Sequence, residues 1–163
     1  MAWMDVAKVV LIGIGATAVM DVWSVALRRL GVPTLDYALV GRWVGHMRQG
    51  RFAHAGIGKA APVAGERPLG WAVHYATGIA FAALLVAVQG WGWLHAPTWG
   101  PAVAVGLATV LVPMCVMQPA LGAGFAASKT PTPWRNRLRS LMTHAVFGTG
   151  LYLSGELVAM WGA

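Results

Sequence analysis

Four apolar runs separated by polar stretches organise this chain. Val9–Leu27, Leu69–Val88, Pro101–Phe125 and Leu138–Trp161 each come close to or exceed the ~20 residues that a helix needs to cross a bilayer core. They predict an all-α, four-helix transmembrane bundle made of two helical hairpins. The one sizeable polar interval is residues 28–68. Inside it Leu35, Leu39, Trp43 and Met47 recur four apart, with Val40 and Val44 beside them and Asp36, Arg42 and Arg48 on other faces. This pattern predicts an amphipathic helix over residues 35–48 lying on the membrane surface, capped by Thr34 and ended at Gly50. Pro113 and Pro119 fall inside the third run, where a missing N–H and the ring bend a helix.

Composition reinforces the pattern. With 163 residues, 58% hydrophobic and 10% charged, four spans and their connections use the whole chain as a single membrane domain. The formal charge of +7 could suggest nucleic acid, but its placement excludes that reading. Arg28, Arg29, Arg42, Arg48, Arg51, Lys59 and Arg67 lie between the first two runs, and Lys129, Arg135, Arg137 and Arg139 between the last two. Residues 89–100 contain no Lys or Arg. The positive-inside rule puts both basic loops in the cytoplasm and both termini outside. Anionic lipid headgroups are the natural partners of these loops. The N-terminal run reads as a span and not as a cleaved signal peptide: Lys8 is its only early cation, and Asp21 would occupy the cleavage site. Cys115, the single cysteine, excludes an intramolecular disulfide and multi-cysteine metal sites.

The polar positions within the runs carry the candidate chemistry. Arg67, His74 and Gly78 repeat the spacing of Arg137, His144 and Gly148. Seven residues of helix place each imidazole roughly 10 Å past an arginine at the membrane surface. Asp21 stands seven residues before Arg28 on a helix running the other way, and should reach the same level. The first and third runs also share Ala-Thr, at Ala16-Thr17 and Ala108-Thr109. A parallel repeat of hairpins follows, with its axis along the membrane normal. Gln118 should lie somewhat deeper than the histidines.

Gly13–Trp23 (GIGATAVMDVW), Tyr37–His46 (YALVGRWVGH), Gly65–Tyr75 (GERPLGWAVHY), Met117–Gly124 (MQPALGAG) and Lys129–Tyr152 (KTPTPWRNRLRSLMTHAVFGTGLY) together resemble the small bacterial inner-membrane family known as domain of unknown function 2938. The resemblance implies a four-helix membrane protein and no particular chemistry.

Several readings of Asp21, His74 and His144 stay open. The carboxylate and one histidine could form a structural hydrogen-bonded pair, with Gly78 and Gly148 allowing close helix packing. A protonatable Asp21 with the histidines and Gln118 could bind or transport a small solute or ion with proton coupling. Two nitrogens and an oxygen would suit zinc or iron. His74 and His144 could be axial ligands of a b-type haem, with Gly13, Gly15 and Gly106 leaving room for the porphyrin. Arg42, Arg51 and Arg67 could hold an anionic headgroup. An accessory subunit of a larger membrane complex, or a homodimer, is a further assembly consistent with these residues. His46 and His54 read as surface residues of the cytoplasmic loop. No phosphate loop, serine-nucleophile elbow or dinucleotide fingerprint is present.

Overall fold

The computed structural model describes residues 2–161, which are helical with no strand among them. The helices are α1 (Ala2–Arg29), α2 (Tyr37–Met47), α3 (Glu66–Gln89), α4 (Trp99–Ala108), α5 (Gln118–Leu121) and α6 (Pro133–Met160). Among the described residues three stretches are long and apolar enough to cross a membrane: Trp3–Arg29, Glu66–Gln89 and Trp99–Leu121. The fourth run forms one helix of 28 residues, so it has the length of a span. Thr143, His144, Thr149, Ser154, Glu156 and three glycines dilute its hydropathy below that of the others.

The third run is interrupted where its prolines predict. α4 stops at Ala108, and a π-helical turn runs over Pro113–Met117 before α5 resumes. Pro113 has no N–H to give to the preceding turn, and the Gln118 N–H reaches back five residues to the Pro113 carbonyl. The wider turn accommodates the ring without orphaning that carbonyl. Gly122, at φ +94°, closes α5 in the left-handed conformation that suits glycine.

By compactness the chain divides into two units. One comprises the residues through Thr34, Tyr75–Thr109 and Met142 onward; the other comprises Leu35–His74 and Val110–Leu141.

The first unit holds an apolar core that includes Ile12, Ala16, Leu85, Leu94, Phe147 and Leu151. Its helices meet through small residues. Gly13 on α1 faces Gly78 and Ile79 of α3, so close that a Cβ there would lie 2.9 Å from the Ile79 nitrogen. Gly106 on α4 faces Gly148 of α6 in the same way, and Gly150 of α6 sits against Ala16 of α1. α1 therefore packs on both α3 and α6. Backbone approach of this kind is how helices associate where lipid removes the hydrophobic drive.

In the second unit, α2 begins two residues later than Thr34 would dictate. Asp36 is the N-cap, its carboxylate accepting from the Ala38 N–H at 3.0 Å, and Gly50 lies just beyond the end of the helix. The buried face of α2 is Ala38, Val40, Gly41, Gly45 and His46, not the Leu35–Leu39–Trp43–Met47 stripe. Gly41 and Gly70 explain the rotation: a Cβ on either would strike the other helix's backbone. Small residues win the contact because they bring α2 against the first turns of α3.

Candidate functional site

His144 is the best-defined polar centre of the first unit. Thr109, 3% exposed, gives its one hydroxyl proton to the Gly106 carbonyl at 2.6 Å. Its oxygen must then accept from His144 Nδ1, 2.9 Å away. The Gly106 carbonyl, which can only accept, lies 3.3 Å from the same nitrogen. Both contacts require the proton on Nδ1, so a neutral ring carries its lone pair on Nε2. Nothing among the described residues donates to that atom. Thr109 and the Gly106–Gly148 contact thus hold the imidazole in one tautomer with its basic nitrogen open.

Asp21 lies on α1 and accepts from the Tyr75 hydroxyl at 3.0 Å. Tyr75 is on α3, so this bond joins α1 to α3. Below them Thr17 is fully buried and donates to the Gly13 carbonyl at 2.7 Å, beside Gly78. Sequence reasoning missed both Tyr75 and Thr109. In the sequence Ala-Thr marks only a repeat, and no local pattern singles out Tyr75.

The remaining expected site residues belong to the second unit. His74 stacks on Tyr37, with ring centroids 4.1 Å apart and planes at 24°, and meets the edge of Trp71 at 5.8 Å. Gln118 has its Nε2 3.4 Å from Ser140 Oγ, and its Oε1 is buried without a partner. Arg42 is not a spare cation. Its Nε and Nη2 clasp both oxygens of Glu66 at 2.9 and 2.8 Å, and Nη1 donates to the carbonyls of Ile57 and Ala60. The Glu66 carboxylate raises the Arg42 pKa above its ordinary value. With its donors occupied, Arg42 ties α2 to the loop before α3 and has little left for a headgroup. Arg51 and Arg67 are exposed and remain available for one.

His46 and His54 are also placed differently from expectation. His46 is 3% exposed, and its Nδ1 lies 2.8 Å from His54 Nε2. An apolar-face count could not find this pair, because His46 enters the core on the glycine side of α2.

The metal and haem expectations concern the same residues. Among the described residues no three His, Cys, Asp or Glu side chains gather as a metal ligand set, so the Asp21–His74–His144 triad is not seen as one. His144 Nδ1 is occupied by Thr109 and Gly106. The haem reading needed Gly13, Gly15 and Gly106 to leave a slot. Each instead admits a neighbour, namely Ile79 and Gly78, Ser154, and Gly148 respectively, so a porphyrin does not fit beside them.

Comparison with curated proteins and with solved structures finds no match. A family description does match, over residues 10–158, and it covers both Arg–His–Gly motifs, Asp21, the Arg42–Glu66 clasp and the Thr109–His144 pair. The chain belongs to the family of proteins of unknown function DUF2938.

Proposed function

We propose that this protein is a four-span bacterial inner-membrane protein, built as two parallel helical hairpins with both termini periplasmic, that binds and moves a small solute or ion with proton coupling. α6 is the fourth span in this reading. Small and polar residues that lower its hydropathy meet other helices, Gly148 at Gly106 and Ser154 at Gly15. The hairpin repeat is supported by matching contacts. Gly78, four residues after His74, meets a glycine on α1 near Thr17. Gly148, four after His144, meets a glycine on α4 near Thr109.

The observation that carries the reading is the fixed tautomer of His144. An imidazole whose Nδ1–H is locked by a hydroxyl and a carbonyl presents Nε2 as a proton or cation acceptor. Ionisable groups inside spans mark solute or proton paths. Asp21, bonded to Tyr75, supplies a second protonatable group in the same unit, and the repeat spacing adds His74. The open arginines Arg51 and Arg67 would meet anionic headgroups at the cytoplasmic surface.

The test is proton movement in liposomes that contain the purified protein and an internal pH-sensitive dye. A panel of sodium, potassium, magnesium and short organic cations and anions is added outside. The reading expects one of them to drive a dye response that disappears in both Asp21→Asn and His144→Ala. A solute-driven response that survives both substitutions overturns it.

A further inference from the structure

The His46–His54 pair lies outside the site described above. It sits where three pieces of the second unit meet. His46 comes from the buried face of α2. His54 belongs to the segment Arg51–Ala55, which is held on two sides. On one side the Arg51 N–H donates to the His46 carbonyl at 3.2 Å, and Trp43 Nε1 donates to the Phe52 carbonyl at 2.8 Å. On the other the His54 N–H donates to the Ala120 carbonyl of α5 at 2.8 Å. Gly122, just past α5, lies so close to the Ala55 carbonyl that a Cβ would clash.

The chemistry of the pair is restrictive. The rings stack with centroids 5.0 Å apart, and at 2.8 Å there is room for one proton between the facing nitrogens. One ring donates and the other must accept. A second proton would set N–H against N–H at that distance. His54 Nδ1 is buried with no partner, so it offers no acceptor to relieve a charged ring. Of the elements around the pair, α5 has no ionisable residue. α2 and its two caps carry Asp36, Arg42 and Arg48, the connecting loop Arg51 and Lys59, and the start of α3 Glu66 and Arg67. Glu66 is the carboxylate that feels His46, and its oxygens are already held by Arg42 and the Val63 N–H. Among the described residues no carboxylate hydrogen-bonds to either ring.

We propose that His46 and His54 form a one-proton site that clamps the Arg51–Ala55 segment between α2 and α5, and that uptake of a second proton releases it. The clamp is independent of the Asp21–His144 reading, since it neither uses those residues nor requires transport. It would make the loop between the first and third helices respond to acidification.

Hydrogen exchange of the full-length protein in lipid nanodiscs tests this, read as protection factors so that the pH dependence of intrinsic exchange is removed. Between about pH 8 and about pH 5, the range in which histidines change charge, the bonded amides of Arg51 and His54 should lose protection by at least about tenfold. Amides of the α1 core, residues 12–16, should stay unchanged and report that the fold is intact. His54→Gln keeps a hydrogen-bonding group but cannot take the proton, so its segment should remain protected at both pH values. His54→Lys, with a fixed charge, should leave the segment open at both. Equal protection of the wild-type segment at the two pH values overturns the proposal. So does an undiminished pH response in His54→Gln.

Discussion

Substituting Gly148 with alanine tests whether the glycine of the Arg–His–Gly motif serves packing or space. The new Cβ would lie 2.7 Å from the Val103 Cα and 2.9 Å from the Ala102 carbonyl oxygen. Both are backbone atoms of α4 and cannot swing aside. Carbon contacts settle near 3.5–4.0 Å, so α4 must retreat by about 1 Å. Overpacking of this kind costs about 1–3 kcal/mol, which corresponds to a melting midpoint lower by roughly 2–12 °C for a chain of this size. The same retreat acts on the chemistry. His144 lies one turn before Gly148, and its bond to Thr109 spans 2.9 Å; an added ångström takes that bond beyond hydrogen-bonding range. Gly148→Ala should therefore melt early and lose the fixed Nδ1–H tautomer. Both effects are visible in thermal melts of the detergent-solubilised protein and in nitrogen-15 spectra of labelled histidine. Gly100→Ala is the control. A Cβ there meets nothing within 4 Å, and removing a helical glycine should be neutral or stabilising by up to about 1 kcal/mol. If Gly148→Ala melts at or above the wild type with its His144 signals unmoved, the close α4–α6 contact is not what that glycine is for.

Other substitutions separate the remaining contacts. Thr109→Val keeps the shape but removes the oxygen that accepts from His144; the Nδ1–H then keeps only the longer contact to Gly106, at 3.3 Å, and nitrogen-15 spectra should show a mixture of tautomers. Arg42→Gln and Glu66→Gln should each free the loop at residues 57–63, increasing its cleavage by trypsin after Lys59, whereas exchanging the two residues should restore part of the protection. Ala126 has φ 46° and ψ 46°, a left-handed conformation that costs a non-glycine residue about 1–2 kcal/mol. Ala126→Gly should relieve it and, after the unfolded-state entropy of glycine is subtracted, raise stability by up to about 1 kcal/mol, checked by the melting midpoint.

What could be read from the sequence was governed by the range of the interaction. Hydropathy is summed over twenty residues, so the three apolar spans and the break at Pro113 were legible within a few positions. Charge asymmetry is likewise a property of whole loops. α6 was legible as a helix, but its polar residues and glycines keep its hydropathy below that of the three apolar stretches. α2 was legible in extent and not in orientation. An amphipathic stripe assumes that large apolar side chains face the core, whereas here Gly41 and Gly70 bring backbones together and turn His46 inward. Arg42 could be recognised as a cation near a surface. That it meets Glu66, 24 residues away, depends on a loop path that no local pattern encodes.

The two Arg–His–Gly motifs join two expectations: their spacing predicts one depth for both histidines, and their glycines predict close helix packing. In the structure each glycine is the point where one helix crosses another, Gly78 over Gly13 and Gly148 over Gly106, and a threonine within one turn of the crossing bonds to a backbone carbonyl on its own helix. His144 and Gly148 are four apart, one turn, so the crossing at Gly148 brings Thr109 to the imidazole. For His144 the consequence is the bond to Thr109. Close packing and tautomer control are thus one device: the glycine sets the distance at which the threonine can act. A variant that keeps the histidine but separates the helices should lose the open Nε2 as surely as one that removes the ring, which is why the spacing, and not the histidine alone, is the unit on which function would depend.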